Sequence, residues 1–465
     1  MRRVLVVGGG LAGITAALDC AEAGAEVTLV EVRRRLGGAA YSFERDGLTM
    51  DNGQHVFLRC CEAYRAMLAR LGSTHLVSVQ DRLDIPVLSP GHPPARISRG
   101  GLPAPLHLAA TLLRYPHLSL TGRLGAARAA LALGRLDPAD PRLEDQTFGA
   151  WLERHGQDRR AMGALWDLIA LPTLNVPAAD ASLALAAFVF QEGLLSGPAQ
   201  ADIGFHVGTL QEIIGDPARR ALEGAGVEIK LGWRAQDLTH GPDGYELSGR
   251  SAEGPERLTG EAVVVALPHD RSGAIVEGLL GPNAGLAGTP ENSPIVNLHV
   301  VYDRRVLDEP FAAGVGTPVQ YLFDRSDAAG APAGCQYLAV SLSGASAEME
   351  MSVAALRERY LPAMAELLPR ARGASVERFQ VTREHAATFR AAPGVGALRP
   401  AARTAQPGLA LAGAWTDTGW PATLEGAVLS GHSAAPVALE ALGLSVAARG
   451  ALAPGGGRAP VAVRG

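Results

Sequence analysis

The sequence predicts an α/β fold in which one parallel sheet, discontinuous in the chain, carries an inserted α+β domain. Three observations predict it. Residues 1–31 read as strand, glycine turn, helix, strand and acidic residue. A short β-run, a loop and a helix recur near the C-terminus. The chain between them changes texture, leucine-rich and helical first, β-rich later.

The opening stretch carries the most chemistry. Val4 to Val7 is an apolar β-run that ends in Gly8-x-Gly10-x-x-Gly13, Leu11 to Ala23 suits a helix, and Val27 to Val30 is β-rich again before Glu31. Gly8 makes the tight turn. Gly10 leaves the backbone bare for a pyrophosphate, and Gly13 lets the helix pack closely on the strand. The helix start offers free N–H groups and a partial positive charge to phosphates. Glu31 can accept hydrogen bonds from ribose hydroxyls. A lone glycine motif is a weak signal. One that follows a strand, opens a helix and has an acid at the end of the next strand predicts a Rossmann-like dinucleotide-binding unit.

Composition bounds the rest. The 465 residues suffice for two or three units of about 100–200 residues each. Hydrophobic content of 47% with 19% charged residues describes a globular chain with a large core, and a net charge of −5 gives no case for nucleic acid as a partner. The basic residues are almost all Arg; Lys230 is the single Lys. Cys20, Cys60, Cys61 and Cys335 show no CxxC and no metal spacing, so buried thiols in a reducing cytoplasm and no metal site are expected. Met-Arg-Arg runs straight into the first strand without a signal-peptide pattern. No apolar run reaches the roughly 20 residues that span a bilayer. A cytoplasmic protein, soluble or peripheral on the inner membrane, is expected.

Further elements follow in order. Arg33-Arg34-Arg35-Leu-Gly37-Gly38-Ala39 can bring a second backbone turn and an Arg against a diphosphate. Asp46 to Phe57 reads as a hairpin-like return holding the polar cluster Asp51-Asn52-Gly53-Gln54-His55, and a helix spans Cys61 to Leu71. Prolines from Pro90 to Pro105 punctuate a loop. Leu106 to Leu136 reads as helices with strongly apolar faces, either packing or a lipid-facing lip for an apolar substrate. Ser182 to Gln191 is another apolar helix, and Phe205-His206 is expected to open the next. Val227 to Leu231, Ala235 to Thr239, Tyr245 to Ser251 and Glu256 to Thr259 read as short antiparallel strands. Glu261 to Leu267, stopped by Pro268, reads as a buried strand returning to the parallel sheet. Four β-runs between Ile295 and Thr382 suit an antiparallel sheet over a cavity. Near the end, a short β-run between Gly408 and Gly413 leads through Gly413-Ala414-Trp415-Thr416-Asp417 and Trp420-Pro-Ala422 to a helix starting near Thr423.

Gly8-x-Gly10-x-x-Gly13…Glu31, Arg35-Leu-Gly37-Gly38, Val263-Val-Val-Ala-Leu-Pro268 and the loop from Gly413 to Gly431 resemble the amine oxidase / phytoene desaturase flavoprotein superfamily over nearly the whole chain. Asp51 to Cys61 and Leu411 to Val428 are similar, more narrowly, to its squalene-associated branch, the hydroxysqualene dehydroxylases. The resemblance implies non-covalent FAD and reductive removal of the hydroxyl of hydroxysqualene, a long apolar isoprenoid, to give squalene in hopanoid synthesis. The electron donor is not visible.

The resemblance also implies a division of the chain: FAD-binding parts 1–85, 205–272 and 393–444; a substrate domain with a helical part 86–204 and a sheet part 273–392; and a disordered tail 445–465. Cofactor contacts are expected at Gly8, Gly10, Leu11, Ala12, Gly13, Glu31, Val32, Arg35, Gly37, Gly38, Ala39, Asn52, Gly53, Gln54, Ala235, Gly413, Ala414, Ala422 and Thr423. Ala414 departs from the acidic residue that the superfamily usually has there; Asp417 or backbone N–H groups can substitute. For the chemistry, His55 and Asp417 are the candidate acids, each with an alternative as a structural or flavin-contacting residue. Trp415 and Trp420 are candidates for an aromatic wall beside a cation-like transition state, or for plain packing. Glu425 is expected as the first-turn acid of the last helix. The superfamily's amine oxidases commonly place a Lys near the flavin, which the position of Lys230 disfavours. A carotenoid-type desaturase and a non-catalytic flavin-binding scaffold stay open as alternatives.

Overall fold

The computed structural model describes residues 2–280 and 290–446. The expected tail therefore lies, from residue 447 onward, outside the described residues. A five-stranded parallel sheet forms the centre. β1 (Arg3–Val7) leads through the glycine turn into α1 (Leu11–Glu22) and β2 (Glu26–Glu31). The strand order is Glu228–Leu231, β2, β1, Ala262–Val265, Leu409–Leu411. β1 thus pairs with β2 on one side and Ala262–Val265 on the other. Both faces of these strands are covered, which is why they are continuous apolar runs rather than alternating ones. α1 packs against the last helix, Leu424–Glu440. Gly431 permits the close crossing: a Cβ there would lie 2.4 Å from Ala12 O and 2.6 Å from Thr15 Cβ.

Three expectations are corrected. Val227 to Leu231 was expected among antiparallel strands, but Glu228–Leu231 pairs parallel with β2. The helix Asp216–Gly224 before it makes the connection that sets a strand down parallel to its neighbour. The hairpins that follow are antiparallel, as expected. Secondly, Phe205 and His206 lie in a strand, Ile203–His206, paired with Val56–Leu58 and Val77–Val79. Finally, the proline-punctuated stretch holds a strand, Ala95–Ser98, and another, Asp84–Leu88, stands just before it, each too short to show a period. They extend the substrate-domain sheet to seven strands in the order Val376–Phe389, Asn292–Tyr302, Gln336–Ser343, Tyr321–Asp324, Phe311–Gly314, Asp84–Leu88, Ala95–Ser98. The pairing of Phe311–Gly314 with Asp84–Leu88 is parallel, so this sheet is mixed.

Buried polar contacts tie the parts together. Glu425 stands in the first turn of the last helix and also caps α2 (Glu62–Leu71), accepting from Ala63 N at 2.9 Å and Tyr64 N at 2.7 Å. Burial pushes its carboxyl up. Asp51 and Arg325 form a buried ion pair at 2.9 Å. Arg325 also donates to Gly208 O and His206 O, while Asp51 accepts from Ser42 Oγ and Leu210 N. One charge pair thereby fastens three separate parts of the chain. The four cysteines are free. No described helix is long and apolar enough to cross a membrane.

Candidate functional site

The site grows from two glycine turns set backbone to backbone. A Cβ on Gly13 would lie 1.9 Å from Gly8 O, and one on Gly38 2.7 Å from Gly10 Cα. Gly10 caps α1 in extended geometry with no side-chain hydrogen bond. The first-turn N–H groups of Leu11, Ala12 and Gly13 are thus left for an anion. Arg35 stands beside them. Its guanidinium lies 3.6 Å from the centre of the Tyr41 ring and donates to Gly38 O at 3.2 Å. Its Nη2 is buried without a partner. Desolvation pushes Arg35 down to about 10, so it is charged at neutral pH. A half-buried cation whose spare donor is buried, next to an uncapped helix start, fits a diphosphate.

Glu31 continues the site along the end of β2. Its Oε2 accepts from Gly9 N at 2.7 Å and its Oε1 from Arg33 N at 2.8 Å. Each oxygen keeps capacity for a hydroxyl donor. Val32 beside it is left exposed. Backbone bonds from Gly232 N to Arg33 O and Trp233 N to Glu31 O bring the bulged start of Arg234–Gly241, with Ala235, alongside. Val32 and Ala235 therefore border the same end of the sheet.

The second half is the loop from Asn52 to His55. Asn52 is saturated by the protein. Its Nδ2 donates to Ala39 O and to Glu384 Oε1, its Oδ1 accepts from Tyr41 N, and its carbonyl accepts from Asn297 Nδ2 and Thr382 Oγ1. Asn52 thus locks the second glycine turn onto the substrate-domain sheet. Gly53 faces Asn297, whose Nδ2 would be 3.3 Å from a Cβ there. Gln54 Nε2, His55 Nε2 and Asn297 Oδ1 are all buried without partners. Three spare hydrogen-bonding atoms thus belong to this loop and to the strand residue that faces Gly53.

Residues 11–439 match the family described as flavin containing amine oxidoreductase. The chain belongs to that family. This flavoenzyme is 29% identical over 456 residues to a hydroxysqualene dehydroxylase of Rhodopseudomonas palustris, covering 95% of this chain and 99% of that one. It is 28% identical to that of Sinorhizobium fredii, covering 94% and 98%. A zeta-carotene desaturase of Arabidopsis thaliana is 23% identical, covering 93% and 84%. Among solved structures, an oxidoreductase from Methanosarcina mazei superposes with a TM-score of 0.72 at 17% identity, covering 93% and 99%, and shares the fold. The cofactor is FAD, and the protein is an FAD-dependent oxidoreductase. The spare Arg35 donor and the open α1 terminus fit it.

The C-terminal loop of the flavoenzyme is stapled by Arg399, which no sequence pattern marked. Its Nη2 donates to Thr416 O at 2.7 Å and to Trp420 O at 2.6 Å. Burial pushes this guanidinium down, opposed by Asp417 and Glu144. Gly413 has φ 138° and sits against the Trp415 ring, a position that excludes a side chain. Trp415 is buried, its Nε1 donating to Leu267 O at 3.0 Å. Trp420 is half-buried and meets Phe188 of the helix Leu183–Phe190 edge to face at 5.2 Å. Asp417 is exposed and accepts from Gly419 N at 3.2 Å. Thr423, not Asp417, caps the last helix through Gly426 N. Ala414 and Ala422 are half-buried in the same loop.

His55 is neutral at neutral pH. Desolvation pushes its imidazole down to about 4. Burial does the same to His206, down to about 3, and to His299, down to about 4. His299 lies between Tyr337 Oη at 2.6 Å and Thr382 Oγ1 at 3.0 Å. Between about pH 6.5 and 4 the unfolded chain binds protons that these folded imidazoles refuse, so their contribution to stability falls as pH falls through that window. His299→Gln removes one share of this slope. Its melting temperature, compared with wild type across the window, should fall less steeply with acid; parallel curves would show that His299 is not held neutral.

Proposed function

We propose that the enzyme reductively removes the hydroxyl of hydroxysqualene, releasing squalene and water. The observation that carries this reading is the similarity to hydroxysqualene dehydroxylases across 93% or more of this chain and 98% or more of theirs. Carotenoid-type desaturation is the second reading, favoured only by the weaker likeness to carotene desaturases. Lys230 lies at the outer edge of the parallel sheet, bonded to Glu256 at 2.8 Å and Glu228 at 3.3 Å. The chain's one lysine is thus engaged there, which disfavours amine oxidation.

FAD held by the two glycine turns and Arg35 would, once reduced by an external donor, supply the hydride that replaces the hydroxyl. The residues have to bind an apolar chain and deliver one proton to the departing oxygen. The edge-to-face pair of Trp420 and Phe188 offers aromatic surface to an allylic cation. His55, neutral, orients the hydroxyl through a ring N–H, and exposed Asp417 relays a proton from solvent. The enzyme would work in the cytoplasm, peripheral on the membrane that dissolves its substrate.

Purified yellow protein, given an external reductant without oxygen, is expected to convert hydroxysqualene to squalene, read by gas chromatography. Peroxide and an aldehyde from amines would sink the proposal. Desaturated carotenoid would favour the second reading, and no turnover of either substrate would favour a flavin-binding scaffold.

A further inference from the structure

The helix Leu120–Leu133 is apolar on two sides. Gly125, Ala126, Ala129 and Leu133 are buried. Leu120, Leu124 and Leu131 are 74%, 64% and 49% exposed. Their spacing places them on one narrow stripe opposite the buried face, at about 100° per residue, with Arg123 and Arg128 on its two flanks. Leu113, Leu106 and Leu102 are also exposed, the first at 70%. Among the described residues, six of the ten exposed large apolar side chains fall between 102 and 131. Single exposed leucines are ordinary; a run of them on one surface is not.

Charge follows the same surface. Residues 85–136 hold six arginines and no Asp or Glu, in a chain of net charge −5. Arg96 and Arg99 pair with Asp84, Glu309 and Asp202. Arg114, Arg128 and Arg135 stand exposed. Arg123 donates to Leu113 O at 2.5 Å and Leu118 O at 3.1 Å, which holds the Leu113 segment beside the helix.

We propose that this surface docks the protein on an anionic lipid bilayer, with the leucines among the acyl chains and the arginines at the headgroups. An apolar stripe flanked by arginines is the pattern of an interfacial helix, because long cationic side chains bury their stems and keep their heads in the polar layer. Anionic lipid meets the exposed positive charge of Arg114, Arg128 and Arg135. A second copy of the chain is a poorer occupant. A two-fold pairing of this surface would set arginine against arginine with no acidic residue of the stretch between them. The inference deepens the peripheral placement proposed above and does not depend on the reaction.

Cosedimentation of the full-length holoenzyme with vesicles tests it. Phosphatidylcholine vesicles containing about one-third phosphatidylglycerol are expected to bind it, more weakly at high salt, and pure phosphatidylcholine less. Leu120→Asp/Leu124→Asp should weaken partitioning by about tenfold or more, with flavin absorbance and melting temperature unchanged. Arg114→Glu/Arg128→Glu should abolish the preference for anionic vesicles. Absence of wild-type binding, equal binding by the leucine variant, or a dimer in solution that this variant dissociates would each overturn the proposal. Vesicle binding needs no turnover, so its failure leaves the dehydroxylation reading standing, and the reverse also holds.

Discussion

Gly10→Ala yields a folded protein that no longer retains FAD. A Cβ on Gly10 meets nothing nearer than Gly38 Cα at 3.6 Å, an ordinary contact, and its φ of −80° suits alanine. Replacing glycine by alanine at a helix N-cap costs at most about 1 kcal/mol. The methyl instead stands at the start of α1, where a diphosphate has to reach the first-turn N–H groups. Flavin affinity should fall by about a hundredfold or more, since close backbone approach is what the second glycine permits. Circular dichroism of the variant should match wild type while the flavin absorption bands disappear. Undiminished FAD content would remove the diphosphate from this turn. Gly13→Ala makes the contrasting case. Its Cβ would sit 1.9 Å from Gly8 O, so strand and helix must part and folding itself should suffer.

Arg325→Met is expected to cost about 3–5 kcal/mol, because it strands the Asp51 carboxylate in the interior. Burial already pushes this carboxyl up, and Arg325 is the charge that opposes the shift most. Ser42 Oγ and Leu210 N remain as partners but carry no compensating charge. The loss should appear as a lower urea midpoint. Asp51→Asn/Arg325→Met, which removes the second charge as well, should recover part of it. A double variant no more stable than the single one would mean that lost packing, rather than an orphaned charge, sets the cost.

The nucleotide-binding end was readable from the chain because its requirements are local. Glycines at 8, 10 and 13, the helix after them and the acid closing β2 lie within 31 residues, and the backbone conformation at each glycine is its own. The antiparallel strands from 234 to 260 and the last helix were readable for the same reason. The short strands Asp84–Leu88 and Ala95–Ser98 were not, since four or five residues cannot display a period, and the first is placed by Phe311–Gly314, far along the chain, while the second pairs with the first. The rest of the candidate site was legible as a polar cluster at Asp51 to His55 and as the loop from Gly413 to Thr423. Asn297, Arg325 and Arg399 carried no signal, an asparagine and two arginines in an arginine-rich chain.

By itself the sequence determined a dinucleotide turn, a chain that returns to the same sheet at its far end, and a likeness that points to FAD. Only the tertiary structure decided that His55 is held neutral, that Trp415 is tied down while Trp420 meets Phe188, and which apolar face of Leu120–Leu133 is left outside. The division is physical. A glycine's turn and a helix's start are set by the residues on either side of them. Burial, which shifts a proton, hides an indole or leaves a leucine in the open, depends on what distant parts of the chain bring against it.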